Sequence, residues 1–148
     1  MERELSVGAI VFRKNKEIKY LILQYGLGHW GFVKGKLEKG ESEKETVIRE
    51  AEEETGIKDL EFLDNFREKE SYFYRWEEKL ISKDVIYYLT KTNTEKIKLS
   101  HEHKYFKWLN YEDILKILKF KNEKEIFRKA DEFLRNEKTS VQRNLDKY

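Results

Sequence analysis

The sequence predicts an α/β fold in which a mixed β-sheet packs between helices. Three observations predict it. Two β-rich apolar runs open the chain, LSVGAIVF at 5–12 and YLILQY at 20–25. A capped helical stretch runs from Ser42 to Thr55. A further series of strand-like segments is then followed by two helices. With 148 residues the chain is long enough to bury a core without disulfides or a structural metal. Its 39% hydrophobic and 14% aromatic content supports a folded globule despite 41% charged residues. No repeat and no Gly/Ser- or Pro-rich linker interrupts it, so 1–148 reads as a single domain, with a core over about 3–136 and a C-terminal tail at 137–148.

Each element has a local reason. The polar RKNKE at 13–17 separates the two opening runs and reads as a hairpin turn. GLGHWGFVKGKLEKGE carries five of the seven glycines, at 26, 28, 31, 35 and 40. It reads as loop with short extended pieces, where the backbone bends tightly or approaches a ligand. Ser42 with Glu45 three residues on forms a capping box, and Gly56 terminates the helix. Val47, Ala51 and Thr55 recur every four residues as its buried stripe. Strands are expected around 59–66, 71–76, 84–90 and 103–109, and helices near 111–119 and 123–136. In the last helix Ile126, Phe127, Ala130, Phe133 and Leu134 share a face.

Composition removes several classes of function. A net charge of +2 calls for neither DNA nor an acidic membrane surface as partner. The absence of cysteine excludes disulfides, thiolate metal sites and cysteine nucleophiles. The first residues, MERELSVGAIVF, lack the pattern of a cleaved leader, and no apolar run approaches a membrane span. The expectation is a cytoplasmic protein. Its oligomeric state is not written in the sequence, with a monomer favoured.

The segment richest in chemistry is REAEEETG at 49–56. Glu50, Glu53 and Glu54 stand at i, i+3 and i+4, so they project from one helix face. Like charges at that spacing repel, and the helix C-terminus disfavours negative charge further. A cation there resolves the conflict. Carboxylates without His or Cys suit a hard ion, Mg²⁺ or, in substitution, Mn²⁺. Arg49 can reach Glu53 at i+4 or orient another carboxylate. Taken alone, the segment also reads as a solvated Glu-rich face.

The flanking residues change that balance. Gly35, Glu41, Arg49, Glu50, Ala51, Glu53, Glu54, Gly56 and Ile57 match every fixed position of the Nudix box. That pattern is G, five residues, E, seven residues, REU, any residue, EE, any residue, GU. The chain is identified by it as resembling the Nudix hydrolases. The resemblance implies an α/β/α sandwich with the box as loop, helix, loop. It implies that Glu50 and Glu54 hold a divalent metal, with Glu53 a further ligand or base. Glu41 and Arg49 would support them, and Gly35 would allow the tight turn beside the helix. The implied reaction is attack of metal-activated water on phosphorus.

The likeness extends over most of 3–135, towards the asymmetric diadenosine tetraphosphate hydrolases within that family. His29-Trp30, Val33-Lys34-Gly35, Phe66-Arg67-Glu68, Tyr72, Lys83 to Tyr88 and Leu99 to His103 carry it. Val33 stands where the family often has proline. The resemblance implies phosphate contacts from His29, Lys34 and Lys83, stacking of adenine on Tyr72 and on Phe133, and Glu102 as a metal ligand from a distant loop. Each has a plainer alternative: Tyr72 in a cross-strand pair, Phe133 in the core, His29 and Lys83 as surface residues. His101 and His103 flank Glu102; on a strand they face away from it, so zinc is rejected and both are taken as structural. The implied activity is hydrolysis of diadenosine tetraphosphate to ATP and AMP. The alternatives are removal of pyrophosphate or a cap-like group from RNA 5′ ends, and a nucleotide sensor that does not hydrolyse.

Overall fold

The computed structural model describes residues 1–146 apart from Leu27, and side chains as far as Asn136. Its elements are β1 (Glu2–Lys14), β2 (Ile18–Gln24), β3 (Trp30–Gly31), β4 (Val33–Lys36), α1 (Glu43–Thr55), β5 (Glu61–Trp76), β6 (Lys79–Lys91), β7 (Phe106–Leu109), α2 (Tyr111–Ile117) and α3 (Lys121–Asp146). All seven strands share one sheet in the order β3-β2-β1-β6-β5, with β4 also pairing β1 and β7 pairing β2. The β1–β6 pair is parallel, from Glu2 opposite Ile81 to Phe12 opposite Lys91, and the other pairs are antiparallel. The sheet is therefore mixed, and the fold is α/β.

The continuous apolar run of β1 follows from its central position, since a strand covered on both faces has no polar side. Val7, Ala9 and Val11 point to the face that α1 covers, with Val47, Ala51 and Ile57. Ile10 and Phe12 point to the opposite face, among Tyr20, Ile114, Phe127 and Leu134. Period-two alternation thus serves two cores, one under α1 and the other under α2 and α3. Phe127 anchors the second: fully buried, it stacks on Tyr111 at 5.3 Å and on Phe32 at 5.7 Å and meets the edge of Tyr20 at 4.7 Å. Truncating such a side chain to alanine costs about 3–5 kcal/mol.

The cap expected for α1 is present. The Ser42 hydroxyl accepts from the Glu45 backbone N–H, the Glu45 carboxylate accepts from the Ser42 N–H, and Gly56 ends the helix at φ 76°.

Several boundaries differ from expectation; β6, expected around 84–90, already begins at Lys79. The segments 59–66 and 71–76 are one strand, β5, paired throughout with β6 except for a bulge between Phe62 and Arg67. Four residues of β5 there, among them Asn65 at φ 70°, lie opposite the single Leu89 of β6, and the ladder resumes at Arg67 opposite Tyr88. Residues 101–103 form a turn before β7 instead of its start. The helix expected to stop near 136 runs to Asp146, covering most of the expected tail; no Gly or Pro after Gly56 gives it a local stop signal. Among the described residues, no helix is long and apolar enough to cross a membrane.

Candidate active site

The two halves of the site meet because α1 ends against a distant loop. A helix leaves its last carbonyls without intrahelical partners. Here the Ser100 N–H donates to the Glu54 carbonyl at 3.2 Å, and the Lys98 N–H donates to the Thr55 carbonyl at 2.9 Å. Those bonds fasten residues 98–100 to the helix end and bring Glu102 and His103 beside Glu54. Glu50, Glu53, Glu54, Ser100, His101 and Glu102 together line one depression.

On the other side, β4 passes close to α1. A Cβ at Gly35 would run into the Glu50 carboxyl group, so any other residue would displace that carboxylate from its place beside Arg49. Arg49 organises the acidic cluster. Its Nε donates to Glu41 at 2.7 Å, Nη1 to Glu50 at 2.8 Å and, more weakly, to Glu53 at 3.4 Å. Nη2 donates to Glu41 at 3.1 Å and to the Lys36 carbonyl at 3.1 Å. The guanidinium holds the Glu41 carboxyl down to about 2, helped by the Glu38 N–H and the Thr46 hydroxyl.

Glu54 lies outside that support. It is 5% exposed, and its Oε2 has no hydrogen-bond partner. Burial, and then the nearby charge of Glu50, push its carboxyl up to about 9. Burial also raises Glu50, against the pull of Arg49. One guanidinium serves several carboxylates, and the deepest lacks a counter-charge. A divalent cation bound by oxygen supplies what is missing, so the residues present fit such an ion. Glu54, Glu102 and His103 each place one donor atom within 4.8 Å of the others.

His103 corrects the sequence reading. Alternation along a strand was expected to turn it away from the carboxylates, but the 101–103 turn directs it at Glu54. Its Nδ1 lies 3.0 Å from the Gln24 carbonyl, which can only accept, so the proton sits on Nδ1. Nε2 faces Glu54 Oε1 at 3.5 Å without a hydrogen bond. Imidazole is therefore part of this cluster, whereas His101 is exposed.

A cavity of about 530 Å³ lies on the opposite side of β4, lined by His29, Lys34, Tyr72 and Phe120, with Glu70 and Glu123 among its other walls. Lys34 links the two regions, since its neighbour Gly35 abuts Glu50. His29 stacks on Tyr25 at 5.7 Å, and burial, reinforced by Lys34, lowers its pKa. Lys83 sits opposite Tyr72 in the β5–β6 register. Burial and then Lys34 lower its pKa too. It does not line the cavity.

Phe133 is not brought there either. Its ring meets Phe66 edge-on at 5.7 Å within the core. The aromatic from the C-terminal region that reaches the cavity is Phe120, in the link between α2 and α3, which is 59% exposed. Sequence reasoning missed Phe120, Glu70, Glu123 and His103. One signal was available: Glu123 precedes Ile126, Phe127 and Ala130 at helical spacing, which puts a carboxylate on a buried stripe.

The chain that carries this geometry, a Glu-rich helix clamped by arginine beside a glycine of the preceding strand, is similar to known proteins. The NUDIX domain model matches residues 2–130, and the chain belongs to the NUDIX hydrolase family. The asymmetrical bis(5′-nucleosyl)-tetraphosphatase of Sus scrofa is 35% identical over 140 residues, spanning 86% of this chain and 92% of the relative. A structure of C. elegans Ap4A hydrolase in a binary complex superposes with a TM-score of 0.79 at 34% identity, over 90% of this chain and 98% of that one. The RNA pyrophosphohydrolase of a Nitratiruptor strain is 30% identical over 148 residues, spanning 89% of this chain and 93% of the relative.

Proposed function

We propose that the chain hydrolyses dinucleoside tetraphosphates asymmetrically, diadenosine tetraphosphate to ATP and AMP. The observation that carries this reading is the placement of an aromatic, cation-edged cavity directly beside the carboxylate cluster, with Lys34 between them. A dinucleotide needs both features: a place for a ring and a place for phosphates a few ångströms away. The relatives named as asymmetrical tetraphosphatases support the same substrate class.

Glu50, Glu54, Glu53 and Glu102 would hold Mg²⁺, with Mn²⁺ as a substitute, and Glu41 would act through Arg49. Bound there, a divalent ion neutralises phosphate charge and lowers the pKa of water. This chain's own groups do the rest. Arg49 keeps the carboxylates from spreading. Lys34 and Lys83 offer positive charge, and His29 a hydrogen bond, along the phosphate chain. Tyr72 and Phe120 offer ring faces to a base, the role expected of Phe133 passing to Phe120.

The RNA 5′-pyrophosphohydrolase reading rests on a specific observation, the Nitratiruptor relative. It uses the same carboxylates and differs in what lies beyond the phosphates. A sensor that does not hydrolyse accords poorly with a complete set of box glutamates.

Product analysis by ion-exchange chromatography decides among these. Protein with Mg²⁺ is offered diadenosine tetraphosphate, ATP, ADP-ribose and 5′-triphosphate RNA, in parallel with Glu54→Gln. ATP and AMP as the fastest products, lost in the variant, are expected. Faster release of pyrophosphate from RNA favours the second reading, and binding without turnover leaves the sensor.

A further inference from the structure

Tyr25 has no part in the chemistry above, yet its ring touches both halves of the site. It stands directly after β2. The ring stacks on His29, with centroids 5.7 Å apart and planes 10° from parallel, and meets His103 edge-to-face at 4.7 Å. The Lys34 ammonium lies over the same ring, 5.6 Å from its centre. His29 and Lys34 line the base cavity, and His103 faces Glu54 in the carboxylate cluster.

The ring is held in turn by its own residue's polar groups and by the space left for it. The hydroxyl donates to the Phe32 carbonyl. The backbone N–H donates to the His29 carbonyl at 2.8 Å, and the backbone carbonyl accepts from the Gly28 N–H at 2.7 Å. A Cβ at Gly31 would come within 3.3 Å of the ring, so glycine leaves it its place. Lysine carries a long stem whose freedom is lost when the ammonium is fixed on a phosphate. An electron-rich ring face that already holds the ammonium removes part of that loss before substrate arrives. Stacking does the same for the His29 imidazole.

We propose that Tyr25 is a positioning residue, which holds Lys34 and His29 where the phosphate chain passes from the base cavity to the carboxylate cluster. This rests on the reading above that those two groups meet phosphate. Tyr25 acts through its neighbours: the ring sets their side chains, and they bind the substrate. Tyr25 also packs on the core under α1, so positioning has to be separated from packing.

Affinities for adenosine and for an uncleavable, methylene-bridged ATP analogue, measured by NMR titration with Mg²⁺, do this. Their ratio isolates what the phosphates contribute. The whole protein is compared with Tyr25→Leu, Tyr25→Phe, Lys34→Ala, His29→Ala and the double variant of Tyr25→Leu with Lys34→Ala. Tyr25→Leu and Lys34→Ala are each expected to lower the ratio about tenfold, while adenosine alone, held by Tyr72 and Phe120, changes less than about threefold. Tyr25→Phe keeps the ring and should recover most of the loss. Because Tyr25 acts through Lys34, the double variant should lose less than the product of the two single losses. Losses that multiply, or an unchanged ratio in Tyr25→Leu, overturn the proposal. If Lys34→Ala and His29→Ala also leave the ratio unchanged, the phosphate-contact reading has itself failed. Should Tyr25→Leu not fold by circular dichroism, a ring-fluorinated phenylalanine at position 25 keeps the shape and weakens the ring face. The ratio must then fall below that of Tyr25→Phe, and equality refutes the proposal.

Discussion

Glu123→Gln should make the protein more stable at alkaline pH and leave it unchanged at acid pH. Burial pushes the Glu123 carboxyl up from its ordinary 4.5 to about 7, with Lys34 opposing and Glu70 adding to the rise. Below the unfolded value the group is protonated in both states, so it adds no pH dependence there. Between 4.5 and 7 the unfolded chain releases a proton that the folded chain retains, and stability falls as pH rises. Above about 7 the cost is complete. At about 1.4 kcal/mol per pH unit, the displacement amounts to at most about 3 kcal/mol. A glutamine of the same size cannot ionise, so the variant escapes that cost. Glu54 and Glu50 are also raised, but they are common to both proteins and cancel in the difference; Glu70 repels Glu123, and relief of that repulsion works in the same direction. Urea unfolding at pH 4.5 and pH 8, with chelator throughout, measures it. A gap near zero at the lower pH and of about 1–3 kcal/mol at the higher is expected. The same gap at both, or a less stable variant at pH 8, would refute the argument, because it would mean that the carboxylate is well solvated or paired where it stands.

Other outcomes follow from the same geometry. Gly35→Ala places a methyl group against Glu50; about 1–3 kcal/mol of stability should be lost, seen as a lowered Tm, with Mn²⁺ affinity by electron paramagnetic resonance falling in parallel. Arg49→Lys removes a fork that holds Glu41 and Glu50 together, so Mn²⁺ binding should weaken roughly 10–100-fold with the fold retained. Phe120→Ala and Phe133→Ala should separate: the exposed ring changes KM with little effect on Tm, whereas the one packed on Phe66 lowers Tm by several degrees. Tyr20→Phe leaves Oδ1 of the buried Asp131 without its 2.7 Å donor while Arg135 still pairs Oδ2, and denaturant unfolding should report a loss of about 1–3 kcal/mol.

The sequence by itself determined the elements whose causes are local. The Ser42 and Glu45 capping box, the Gly56 stop and the i, i+3, i+4 glutamates need only a helix to be legible. The unbroken apolar run of β1 implied a strand buried on both faces, and the structure gives each face its own core. The box residues also carried the family, because the motif is contiguous and its spacing is fixed by one turn and one helix.

Only the tertiary structure decided what depends on distant segments meeting. The alternation rule misplaced His103, because hydrogen bonds from Lys98 and Ser100 to the end of α1 replace the strand there with a turn. Phe120, in the link before α3, and Phe133, within α3, are both aromatics of the C-terminal region, and nothing local says which faces the cavity and which meets Phe66. Glu70 and Glu123 are 53 positions apart in a chain where glutamate is common. Their burial, and hence their raised pKa and unpaired oxygens, exists only once β5 and α3 are folded against opposite walls of one cavity. Local geometry is encoded residue by residue, but desolvation belongs to the assembled fold.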